Sequence, residues 1–168
     1  MNELQIREVE PEDAEIMIEY IKRIGGETGN LTYGPEGLPL TIEAERDYIA
    51  AVKDDPRSVM LGVWRGSDLI ADGNISSLPR RMSHRAELGM AVIKDEWNKG
   101  IGSMLLRKLI DFATSAGIEI VNLEVRSDNV NAIHLYEKYG FVHIGTSPAF
   151  FKIDDEYYDF EIMYLDLR

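Results

Sequence analysis

Cysteine is absent from this chain, and with it go a disulfide framework, a thiolate nucleophile and any Cys-ligated metal. Positive charge is scarce as well. Eighteen Lys and Arg face 30 Asp and Glu, a formal net charge of −12. That balance argues against a nucleic-acid partner, because such affinity comes largely from basic side chains that neutralise phosphates, and it favours a cationic one. No apolar run approaches the ~20 residues that span a bilayer. The start, Met1-Asn2-Glu3-Leu4, lacks the basic segment and apolar core of a targeting peptide. The expectation is a soluble, cytoplasmic protein without a membrane partner. Repeats, low-complexity tracts and linkers are missing too, so residues 1–168 read as a single domain, and an apolar content of 45% supplies a sizeable core.

Periodicity divides the chain into strands and helices. Leu4 to Val9 alternates apolar and polar residues as a strand does. Pro11-Glu12-Asp13 starts a helix that buries Ile16, Tyr20 and Ile24, and Gly25-Gly26 is expected to stop it. Glu27 to Leu40 holds too many Gly and Pro for regular structure. Thr41 caps a second helix that runs through Val52. Ser58 to Trp64 and Leu69 to Ser76 flank the turn Arg65-Gly66-Ser67-Asp68 as an antiparallel hairpin, and Arg85 to Val92 adds a third strand. A helix from Ile101 to about Ala116 then leads to the strand Ile120 to Val125, a crossover that requires the two flanking strands to run parallel. Val142 to Ser147 and Tyr158 to Leu165 close the chain as a hairpin.

Trp97-Asn98-Lys99-Gly100-Ile101-Gly102-Ser103 joins the strand to the helix. Small residues at 100 and 102 let the loop turn tightly and aim several backbone N–H groups one way, while the helix start adds unpaired amides and a positive dipole end. Such a cradle fits a pyrophosphate. It is not a mononucleotide P-loop, since no Lys-Ser/Thr pair follows Gly102, nor a dinucleotide fingerprint, since Leu105 stands where the third Gly belongs. The loop resembles the coenzyme A loop of the GNAT family of N-acetyltransferases: Gln or Arg, two residues, Gly, one residue, then Gly or Ala. Trp97 departs at the first position. A second segment, Asn129 to Phe141 with its Tyr136-Glu137-Lys138-Tyr139-Gly140-Phe141 ending, is similar to that family's second coenzyme motif.

The resemblance implies an α/β fold with a mixed, mostly antiparallel central sheet of about seven strands and helices on both faces. It implies acetyl-CoA as cosubstrate and direct transfer of acetyl to a primary amine of a small molecule or peptide, and it leaves a homodimer open. By resemblance, Val92 and Ile93 pair with the pantetheine arm, while Lys99, Gly100, Ile101, Gly102 and Ser103 hold the pyrophosphate. An amide near Met90 to Val92 faces the thioester oxygen. Asn131 reads either as a helix-end residue or, by the family pattern, as a coenzyme contact. Tyr136 alone would be a packed aromatic; in the family a Tyr here gives a proton or hydrogen bond to the coenzyme sulfur, a task that a phenol of pKa about 10 suits. Tyr139 reads as packing.

The base is open among Glu87, whose face a one-residue slip would reverse, Glu27, and a water chain. Glu27 and Tyr33, in the loop after the first helix, are the acceptor-binding candidates. Arg80, Arg81, His84 and Arg85 read as a solvated connection or an anion contact, and Lys138 as a dipole-complementing residue or a contact to the coenzyme's outer phosphate. His134 and His143 lack metal-ligand spacing, so no metal is expected. Two rivals remain: an acyl-CoA-binding regulator without turnover, and an interaction module built on the Gly29 to Leu40 loop.

Overall fold

The computed structural model describes residues 3–168; Met1 and Asn2, the head of the N-terminal segment read above, lie outside the described residues. The strands are β1 (Leu4–Glu8), β2 (Val59–Arg65), β3 (Asp68–Ser77), β4 (Arg85–Val92), β5 (Ile120–Arg126), β6 (Val142–Ile153) and β7 (Glu156–Asp166). They form one sheet in the order β1-β2-β3-β4-β5-β7-β6. Its one parallel pair is β4–β5, joined by the crossover helix α3 (Ile101–Ser115). The other helices are α1 (Ala14–Glu27), α2 (Ile42–Asp54) and α4 (Val130–Lys138). The mixed, mostly antiparallel sheet expected from the resemblance is therefore present, and no helix among the described residues is long and apolar enough to cross a membrane.

Side-chain alternation along β3 assigns the two faces. Ala71, Gly73 and Ile75 point one way and Asp72, Asn74 and Ser76 the other. The first face belongs to α3, whose Leu105 and Leu109 press so close that a Cβ on Gly73 would lie 2.7 Å from Leu109 Cδ1. Residue 102 of α3 in turn lies close to Leu135 of α4, so α4 shares that side. The second face belongs to α1: the Tyr20 hydroxyl donates to Asp72 Oδ1 (2.8 Å) and to the Ala91 carbonyl (2.9 Å). Thr41 caps α2 as expected, its Oγ1 accepting from the Ala44 amide at 3.0 Å.

Three expectations are corrected. Helix α1 runs through Gly25-Gly26 to Glu27; Gly25 serves a close approach, since a Cβ there would collide with the Gly34 carbonyl as the following loop folds back. The buried stripe of α1 is Met17, Tyr20, Ile21 and Ile24, whereas Ile16 is 41% exposed. Strand β6 continues past Ser147 to Ile153 through a bulge at Ser147/Phe151. Pro148 is tolerated there because β6 is the edge of the sheet, where a missing N–H breaks no ladder.

Candidate active site

β4 and β5 pair only over Arg85–Ile120, Ala86–Val121 and Glu87–Asn122, then separate. Alternation decides which backbone groups face the gap. The Arg85 carbonyl accepts from Leu78 N on the β3 side (3.1 Å), while that of His84 accepts from Glu119 N on the β5 side (2.8 Å). Even-numbered residues of β4 therefore point their peptide groups toward β5, so Met90 and Val92 present theirs to the open edge. Ile93 does not. Its N–H donates to Ile70 O and its carbonyl accepts from Glu96 N, both at 3.0 Å, so the expected pairing of Ile93 with a coenzyme arm is corrected by its occupied backbone. Trp97, 41% exposed, sends its indole N–H to the Val92 carbonyl at 2.7 Å, which leaves the Val92 amide as the free group there.

Beside the gap, α3 begins with the amide run the sequence suggested. No hydrogen bond among the described residues ends on the amides of Lys99, Gly100, Ile101, Gly102 or Ser103; the first bonded amide is Met104, to the Gly100 carbonyl at 3.1 Å. Gly100, the N-cap, sits at φ 81° with open space around its Cβ position. Gly102 sits close to its neighbours, since a Cβ there would lie 3.3 Å from Met90 Cε and 3.5 Å from Leu135 Cδ2. Lys99 is exposed and its Nζ lies 3.4 Å from Glu96 Oε2. Donors without partners, a helix dipole and Cβ-free surface together fit an anion of pyrophosphate size.

α4 lines the same opening. Asn129 is its cap, its Oδ1 accepting from Ala132 N at 3.4 Å, so the capping task is taken and the exposed Asn131 side chain makes no hydrogen bond among the described residues. Tyr136 is 8% exposed, packs on Phe141 with ring centres 5.6 Å apart, and burial pushes its phenol up to about 12. Tyr139 does more than pack. Its hydroxyl lies 2.6 Å from Ser103 Oγ and donates to the Ser103 carbonyl at 3.2 Å, tying the end of α4 to the first turn of α3. Ser103 thus offers an anion its amide while its hydroxyl is engaged.

On the α1 face the parting strands carry carboxylates. Glu87 is exposed, and Glu124 of β5 follows Asn122, the partner of Glu87, by one alternation; burial, then the Glu87 charge, raises the Glu124 carboxyl. Glu27 is occupied elsewhere. Its Oε1 accepts from the Lys94 amide (3.1 Å) and Oε2 lies 3.5 Å from Arg23 Nε, so it fastens α1 to the turn after β4, and it is not part of the cavity lining. Tyr33 stands in the wall of that cavity.

The cavity, about 320 Å³, lies between α1, the loop after it, α2 and the sheet; its walls include Tyr33, Tyr48, Glu45, Asp72 and Asn74. Burial, together with the Glu45 charge, pushes Asp72 up to about 6 against the hydrogen bond from Tyr20, and burial raises Glu45. Sequence reasoning missed Asp72, Glu45 and Tyr48, yet signals existed. Asp72, Asn74 and Ser76 are period-two polar positions in an otherwise apolar strand, and Glu45 interrupts the helical stripe Ile42, Ile49, Val52.

A raised carboxyl pKa means that ionised Asp72 is disfavoured in the fold, so its contribution to stability is present below its unfolded pKa and lost as pH rises through about 6. Asp72→Asn keeps an acceptor for Tyr20 and removes the charge. It is expected to stabilise the free protein by up to about 3 kcal/mol at pH 8, a gain that shrinks through pH 6 and vanishes near pH 4; urea unfolding at the three pH values checks this.

The sequence profile of the Acetyltransferase (GNAT) family matches residues 28–141. The N-alpha-acetyltransferase RimI of Mycobacterium tuberculosis is 32% identical over 99 residues, 58% of this chain and 61% of that protein. The L-amino acid N-acetyltransferase AaaT of Escherichia coli is 34% identical over 87 residues, 51% of this chain and 53% of that protein. The chain thus spans little more than half the length of these curated relatives. Among solved structures, the acetyltransferase of the GNAT family from Streptococcus pneumoniae superposes with a TM-score of 0.95 at 29% identity, over 98% of this chain and 100% of that one. The fold is also that of yncA from Salmonella typhimurium with its cofactor acetyl-CoA (TM-score 0.86, 18% identity, 99% of this chain and 95% of that one). With the profile running from the loop after α1 to the Phe141 that ends the second motif, the chain belongs to the GNAT family of acetyltransferases.

Proposed function

We propose that the protein is an acetyl-CoA-dependent N-acetyltransferase acting on a primary amine of a small molecule or peptide by direct attack. The observation that carries this reading is the parting of β4 from β5 directly beside five unpartnered amides at the start of α3. The pantetheine arm pairs with the free peptide groups of Met90 and Val92, as an added strand does at a sheet edge. The amides of Lys99 to Ser103 hold the pyrophosphate, Lys99 adds charge from its side chain, and Asn131 reaches the coenzyme from α4. A neutral amine entering on the α1 face forms the N–C bond as the C–S bond breaks. Its surplus proton leaves through Glu87 or water, and Tyr136 returns one to the departing sulfur. Two of the relatives named above are an N-alpha-acetyltransferase and an L-amino acid N-acetyltransferase, and a Vibrio cholerae spermidine N(1)-acetyltransferase is 32% identical over 49% of this chain, which supports an amine acceptor without choosing among them.

The test is thiol release from acetyl-CoA over a panel of primary amines, with the acetylated product identified by mass. Amine-dependent release in equal proportion to product is expected. Coenzyme binding without release for any amine would instead favour a regulator that keeps the cradle and lacks turnover.

A further inference from the structure

Acetyl transfer as derived above uses the β4–β5 gap and leaves the contents of the neighbouring cavity unexplained. Among the described residues, two carboxylates line it, Asp72 and Glu45, and no Lys or Arg does. Asp72 has the Tyr20 hydroxyl. Glu45 has nothing: it is 3% exposed, its side chain makes no hydrogen bond or ion pair among the described residues, and it belongs to the cavity wall. A largely buried carboxylate whose oxygens face only the cavity is poorly solvated, and a cation delivered by a ligand relieves it.

The rest of the lining says what carries that cation. Met17, Ile21, Leu38, Leu40 and Met60 make the walls apolar, suited to methylene groups rather than to a hydrated polyol. Tyr33 and Tyr48 add aromatic faces, which attract ammonium. The cavity also connects with the site of chemistry. Asn74, on its floor, pairs with Gly89 of β4, and a Cβ on Gly89 would lie 3.0 Å from Asn74 Oδ1. The Asn74 amide nitrogen is turned away to Ser76 Oγ (2.8 Å). Glycine at 89 therefore makes room for the Asn74 carboxamide, whose oxygen is left as the polar group between the cavity and the β4–β5 gap.

We infer that the acceptor is a short-chain diamine whose distal ammonium lies between Asp72 and Glu45, with its methylenes along the apolar wall and its reacting amine carried past Asn74 to the gap. This rests on the acetyl-transfer reading for the reacting end only. An amino acid fits poorly, because its carboxylate would meet two of its own charge.

Calorimetry on the full chain decides it, using α,ω-diaminoalkanes of three to six carbons, 1-aminobutane and alanine, with CoA titrated into the same samples. The expected result is a diamine that binds at least about tenfold more tightly than 1-aminobutane, a preference abolished by Glu45→Gln and by Asp72→Asn while CoA affinity is unchanged. Both variants remove a disfavoured buried charge, so a melting curve at least as stable as wild type verifies folding. Equal affinity for monoamine and diamine, tighter binding of alanine, or a preference that survives Glu45→Gln in the folded variant overturns the inference, and the acetyl-transfer reading then stands if CoA still binds. Loss of CoA binding alone strikes that reading, while a Glu45-dependent diamine preference would still uphold the cationic cavity.

Discussion

Tyr136→Phe is expected to lower kcat by about 10²-fold or more with little change in acetyl-CoA binding, the scale of a lost general acid. The ring stays, and with it the contact to Phe141 at 5.6 Å. The hydroxyl has no protein partner among the described residues, so its removal leaves no internal donor or acceptor stranded and the fold is retained. Burial holds the phenol at about 12, so near neutral pH it keeps its proton available for donation. Tyr139→Phe is the contrasting variant. It deletes the 2.6 Å bond to Ser103 Oγ and should cost about 1 kcal/mol of stability, read as a lowered unfolding midpoint. Wild-type kcat in Tyr136→Phe would return that residue to simple packing.

Gly100→Val and Gly102→Val should each weaken CoA binding by about 10²-fold or more, for different reasons. Gly100 holds φ at 81° with nothing near its Cβ position, so valine is opposed by backbone conformation, and the loop must turn its amides away to relieve it. Gly102 has ordinary helical geometry but faces Met90 and Leu135, so the branched side chain of valine must push against both and shift the first turn that carries the amides. Losing two charge-assisted amide bonds, each worth about 1.5–3 kcal/mol, accounts for that factor. Gly117, beyond the other end of α3 at φ 79° and also in open space, supplies the control. Gly117→Val carries similar backbone strain and should melt earlier yet bind CoA as wild type does, in isothermal titration. Equal CoA affinity across all three variants would remove the pyrophosphate from this loop.

Much of this was legible in the residues because it is local. The tight turn at Gly100, the Thr41 cap and the crossover that forces β4 and β5 parallel depend on a few neighbours in sequence, and each is present. What escaped is set by tertiary register. Whether Ile93 faces the gap depends on which β4 amides bond to β3, and a shift of one residue would reverse it. Glu27, a plausible acceptor carboxylate by its loop, is claimed by an amide 67 positions away. Asp72 and Glu45 line one cavity only because α2 packs against β2, the strand beside β3, and glycine at 25 serves a loop nine positions on, whose Gly34 carbonyl takes the place of its side chain. Period and capping name the elements; contacts between distant elements decide which polar groups are left without partners.

The central claim is that acetyl-CoA occupies the gap between β4 and β5 with its pyrophosphate on the amides that open α3. Backbone amide chemical shifts followed by NMR during a CoA titration of the full chain test it most directly. The account predicts saturable shifts concentrated at Met90, Val92 and Lys99 through Ser103, with a smaller change at Asn131 and almost none at Ile93, whose N–H is already bonded to Ile70. Saturation that moves amides elsewhere while leaving Gly100 to Ser103 unperturbed would contradict it.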